Sequence, residues 1–113
     1  MSDPHTPPPR LAEGLAEYRA GRYWNAHESW ERVWRGLDGD DRLCVQALIM
    51  LAAAAWHAER QRWRPARRLL LRASQLLEGQ DVAARLELPS DLADRARAAA
   101  ELPHPATPPV SLR

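Results

Sequence analysis

The chain has 113 residues, 45% hydrophobic and 27% charged, with a formal charge of +1. That length fits one domain, and the near-zero charge balance lacks the clear basic excess typical of nucleic-acid binders. Twenty alanines and sixteen leucines stand against four valines, one isoleucine and two threonines, which argues against any sheet and predicts an all-α fold.

In chain order, residues 1–9 read as a disordered Pro-rich tail, with Pro4, Pro7, Pro8 and Pro9, and no apolar run of the kind a signal peptide needs. Residues 10–102 read as a single all-α domain. A first helix is expected from Pro9 to Ala20, stopped by Gly21, and a second from Tyr23 to Leu37, closed by Asp38-Gly39-Asp40. A third runs from Asp41 to Gln61. Its stretch Leu43 to Ala58 carries no charge, but at ~1.5 Å per residue it is shorter than the ~30 Å of a bilayer core, so a buried helix is expected and no membrane partner. A fourth helix is expected from Pro65 to Gly79 and a short piece from Asp81 to Leu86. A terminal helix capped by Ser90 should then reach Leu102. Residues 103–113, with Pro103, Pro105, Pro108 and Pro109, read as a second disordered Pro-rich tail. Short loops make successive helices antiparallel neighbours. The expected architecture is therefore a compact bundle of two stacked antiparallel helical hairpins plus a C-terminal helix.

An offset of forty residues overlays the second helix on the fourth: Tyr23 on Trp63, Ala26 on Ala66, Trp30 on Leu70, Val33 on Ala73 and Gly39 on Gly79. The pattern fits a helical hairpin repeat. The arginines at 60, 62, 64, 67, 68 and 72 read as a solvated helix face before a phosphate-binding stripe, so nucleic acid is not the expected partner. The single cysteine, Cys44, lies in an apolar run and reads as a small core residue. Its isolation fits a reducing compartment, and a cytoplasmic location is expected.

On a helical wheel the second helix buries Tyr23, Ala26, Trp30, Val33, Trp34 and Leu37, and sets His27 and Glu31 together on its margin beside Trp24. Glu28 points further out, within reach of Arg32 and Arg35. Gln46 and His57 are the only polar side chains in the apolar stretch of the third helix and lie on one strip with Met50 and Ala53. Antiparallel packing should bring His57 near His27 and Glu31. Several readings stay open. His27-Glu28-Ser29-Trp30-Glu31 is an H-E-x-x-E string, so His27, Glu31 and His57 are candidate ligands for a divalent metal such as zinc, with Glu28 as general base of a hydrolase. The same residues also suit a buried hydrogen-bonded cluster. A third reading is a pocket for a small anionic ligand, using Trp24, Gln46 and Arg67 or Arg68.

The string from Gly21 to Arg35, G-R-Y-W-N-A-H-E-S-W-E-R-V-W-R, resembles the signature of the family called domain of unknown function 309. That signature reads G-x-[YF]-[WF]-x-A-H-E-x-[LW]-E-x-x-W. The block Gln46 to His57 is similar to its Q-G-L-I-Q-L-A-A-A-x-x-H, and Arg64 to Leu70 to its later G-A-x-x-L-L. The chain departs from these patterns at Ala47, Met50 and Pro65. The resemblance implies a compact all-helical fold with no established activity. A non-enzymatic interaction, assembly or ligand-binding module is the first expectation, by self-association or with a protein partner. The metal-assisted hydrolase is the alternative.

Overall fold

The computed structural model describes residues 11–113, so the expected tail at 1–9 and the start of the first helix at Pro9 lie outside the described residues. Six helices follow in order: α1 (Leu11–Arg19), α2 (Tyr23–Arg35), α3 (Gly39–Glu59), α4 (Trp63–Leu77), α5 (Val82–Leu86) and α6 (Leu92–Ala100). No strand occurs among the described residues. The fold is all-α. Each of α2, α3 and α4 packs on the helix before it, and α6 packs on α4, which gives two stacked hairpins and a terminal helix.

The two hairpin turns close in the same way. Gly21, at φ +80°, donates its N–H to the Tyr18 carbonyl, and Arg22 donates to the Glu17 carbonyl. Forty residues on, Gln61, at φ +57°, donates to Ala58, and Arg62 donates to His57. Both are left-handed caps that satisfy the last carbonyls of a helix. Glycine takes that conformation freely; glutamine takes it at a steric cost. Ser90 does not cap the last helix: Asp91 stands at the N-cap position without a side-chain hydrogen bond.

The core is built on alanine and leucine around one large aromatic. Trp30 of α2 is fully buried. Its indole N–H donates to the Leu11 carbonyl at 3.2 Å, and its ring lies directly against Gly14 of α1. A Cβ placed on Gly14 would collide with the Trp30 indole ring at Nε1. The other tryptophans are only half-buried (Trp34, Trp56, Trp63) or exposed (Trp24), so a single one serves as a fully enclosed anchor. Ser29 joins the buried face of α2 and donates to the Glu17 carboxylate. At the other end, Arg85 of α5 pairs with Asp40 and Asp41 in the first turn of α3, at 3.1 and 3.0 Å.

The C-terminal segment overturns an expectation. Residues 103–113 do not form a disordered tail: Pro105, Ala106, Val110 and Leu112 are buried against the helices. The buried Tyr18 hydroxyl donates to the Val110 carbonyl at 2.7 Å, and Arg19 to the Leu112 carbonyl at 3.3 Å. Arg95 donates to the Ser111 and Arg113 carbonyls. His104 stacks on Trp63 of α4 at 4.6 Å. The physical reason lies between the prolines. Ala106, Val110 and Leu112 offer apolar surface to bury, and prolines lower the conformational entropy that ordering must remove. The segment runs from the end of α6 past the α3–α4 turn and the α1–α2 turn to α1.

Two measurements check this packing. Gly14→Ala should raise helix propensity yet lower stability by about 1–3 kcal/mol, because the new methyl overpacks the indole; chemical denaturation giving equal or higher stability would show that the contact is absent. Tyr18→Phe should cost about 1 kcal/mol through the lost bond to Val110. In the same variant, hydrogen exchange should speed up in residues 110–113 before it does in α3.

Candidate functional site

The site lies where the start of α2 faces the end of α3, the antiparallel pairing that the tight Asp38 turn imposes. On α2, burial of Ala26, Trp30 and Val33 turns His27 and Glu31 to the margin, half-buried, and leaves Trp24 47% exposed. The His27 Nε2 stands 3.6 Å from the Glu31 carboxylate, which also faces Arg35 at 3.9 Å. Trp24 stacks on His27 with ring centroids 4.8 Å apart and planes within 7°. Across the seam it meets Trp56 of α3 at 5.3 Å. Trp56 in turn sits edge-to-face with His57 at 5.1 Å. Arg60 holds its guanidinium 3.8 Å over the Trp56 ring and donates to the Trp56 carbonyl at 2.9 Å.

A continuous array therefore runs Glu31, His27, Trp24, Trp56, His57. Both histidines have a buried Nδ1 without a hydrogen-bond partner. Such a group costs roughly 1–3 kcal/mol, so the array is held by ring packing rather than by a satisfied polar network. The ring contacts are one stacked, one tilted and one edge-to-face.

Two of the expected members stand apart. Glu28 is exposed and makes no hydrogen bond or ion pair among the described residues. Its expected bridges are not formed, since Arg32 donates to Ser29 and Arg35 faces Glu31. Gln46 is half-buried, three turns of α3 from His57, and its side chain makes no hydrogen bond to the array. Arg67 is likewise engaged elsewhere, donating to the Ala100 and Leu102 carbonyls that end α6. Among the described residues no three His, Cys, Asp or Glu side chains are grouped to hold a metal ion. Cys44 is buried, and burial pushes its thiol up to about 11, leaving no thiolate near neutrality.

Sequence reasoning missed Trp56 and Arg60. Arg60 lies one turn after Trp56, which is the spacing of a helical pair, and that signal was available. The contact between Trp24 and Trp56 crosses two helices, and no spacing within one helix reports it.

The titration of His57 follows from its surroundings. Burial lowers its pKa from the ordinary 6.5, and Arg62, Arg60 and Arg68 lower it further. The unfolded chain then binds the proton more readily than the native one. The stabilising contribution is complete above pH 6.5 and is lost as pH falls from that value toward the lower native pKa. Thermal unfolding followed from about pH 7.5 down to about 5.5 should show a falling midpoint, and His57→Gln should flatten that slope. An unchanged slope in the variant would place the titration elsewhere.

No curated protein and no solved structure matches the chain. Residues 11–69, which hold α1, α2, α3, the start of α4 and the whole aromatic array, match the model of the family described as domain of unknown function (DUF309). The C-terminal segment falls outside the match. More than half the sequence is covered, and the chain belongs to this family.

Proposed function

We propose that the chain is a non-enzymatic interaction module that recognises a protein surface, a partner's or its own, through the Trp24–Trp56 array. The observation that carries this reading is the exposure of Trp24. An indole nearly half open to solvent, 47%, is held in one orientation by stacking on His27 and by a tilted contact with Trp56. Arg60 on the Trp56 ring completes a patch of the residue types that dominate protein recognition. Rigid aromatic side chains lose little conformational entropy on docking. The equal caps at Gly21 and Gln61, forty residues apart, support reading the hairpins as two copies of one unit, with the array at the junction between them.

Trp24→Ala tests the reading. Its loss of stacking should change stability by no more than about 1.5 kcal/mol. Sedimentation across a concentration series, with capture of partners from a lysate, should show an assembly for the natural chain that the variant loses. A strict monomer that retains no partner, or a variant that assembles as before, would overturn it. Elemental analysis of protein purified without a metal-affinity tag decides the competing hydrolase. Near-stoichiometric metal, lost in both His27→Ala and His57→Ala, would replace the interaction reading with metal-assisted hydrolysis.

A further inference from the structure

A cavity of about 390 Å³ opens where the α1–α2 turn, the end of α3, the α3–α4 turn and the C-terminal segment meet. It lies round α3 from Trp56 and His57. Ala55 and Ala58 line its inner side, Tyr23 and Trp63 supply aromatic walls, and Glu59 brings the only charged side chain of the lining.

Three observations give this cavity a chemical preference. First, Glu59 has no ion pair among the described residues, in a chain whose sixteen arginines outnumber its fifteen acids. Its neighbour Arg60 is turned onto Trp56 instead. Second, the Glu59 charge reaches the aromatic wall: burial raises the Tyr23 hydroxyl pKa, and Glu59 raises it further. Third, both walls are held in place before any ligand arrives. Tyr18 packs edge-on against Tyr23 at 5.2 Å, and His104 stacks on Trp63 at 4.6 Å.

Aromatic faces attract cations, and a carboxylate beside them adds a full opposite charge. The alanine methyls suit a cation that presents methyl groups. A guanidinium or primary ammonium needs an acceptor for each N–H, whereas a quaternary ammonium needs none. We propose that this cavity binds a quaternary ammonium group, seated between Tyr23 and Trp63 with Glu59 as its counter-charge. The site is separate from the Trp24 array and stands or falls independently of it.

The full chain, titrated calorimetrically with choline, with trimethyllysine amide and with the neutral choline isostere 3,3-dimethylbutanol, tests this. Saturable binding of at least one cation in the millimolar range or tighter is expected, with the neutral isostere weaker by about tenfold. Choline alone would identify a small-molecule headgroup, and trimethyllysine a modified protein side chain. Glu59→Gln, a change at an exposed position, should weaken the cation by about tenfold and leave the unfolding midpoint in place. Trp24→Ala should bind the cation as the natural chain does, which separates this site from the array. Absence of saturable cation binding, equal binding of the isostere, or undiminished binding by Glu59→Gln would overturn the proposal.

Discussion

The contact between the Trp30 indole and Gly14 fixes how closely α1 and α2 approach, and much of the molecule is positioned through it. At this close approach of α1 and α2 the indole has room only because α1 omits a side chain at Gly14. The ring then gives its N–H to the first turn of α1 through the Leu11 carbonyl, so the helix is fixed along its axis as well as sideways. With α1 set, Tyr18 comes beside Trp30, their centroids 6.0 Å apart, and its hydroxyl is aimed at the Val110 carbonyl. The C-terminal segment thereby acquires its anchor. A glycine mid-helix costs about 1 kcal/mol of propensity relative to alanine, and full burial of the tryptophan more than offsets it.

The end of α3 distributes its side chains between two surfaces. Trp56 faces the seam with α2, while Ala55, Ala58 and Glu59 face the cavity under the C-terminal segment. Arg60, next in sequence to Glu59, takes the ring of Trp56 rather than the adjacent carboxylate. The same choice of partner builds the aromatic array and leaves Glu59 without a counter-ion among the described residues. A cation–π contact of about 1 kcal/mol at an exposed site competes evenly with an exposed ion pair, so the geometry set by the α3–α4 turn decides between them.

How much of this was legible in the sequence depends on the kind of information each feature needs. Helices and turns follow from alanine and leucine content and from Gly21 and Asp38-Gly39, and the order of packing follows from short connections. That Trp24, His27 and Glu31 share one margin of α2 follows from a helical wheel, and that the start of α2 meets the end of α3 follows from antiparallel pairing. Glu28 and Gln46 were drawn in because a wheel gives an angle and not what stands opposite it. Within a helix pattern Gly14 reads only as a lowered propensity; its use is defined by a ring sixteen residues away. The C-terminal segment differs from its expected form for another reason. Proline content reads as a sign of disorder, whereas Ala106, Val110 and Leu112 between the prolines supply the apolar surface that orders the segment.

That segment also explains why stacked hairpins of this size need an additional element. Two hairpin units fall short of the three or more that usually bury a continuous core, and the outermost helices are left with one neighbour each. Here α6 covers α4, and residues 103–113 return across the hairpin turns to α1. Helix carbonyls at the end of α6 are taken up by Arg67, and those of residues 110–113 by Tyr18, Arg95 and Arg19, so that the end of the segment is held through its backbone acceptors without a sheet. A chain rich in proline suits this route, because it has few N–H groups to satisfy and little freedom to lose. In joining the last helix to the first, the segment carries His104 onto Trp63 and Pro109 beside Tyr23. The cavity near the end of α3 is thus a product of how the bundle is closed.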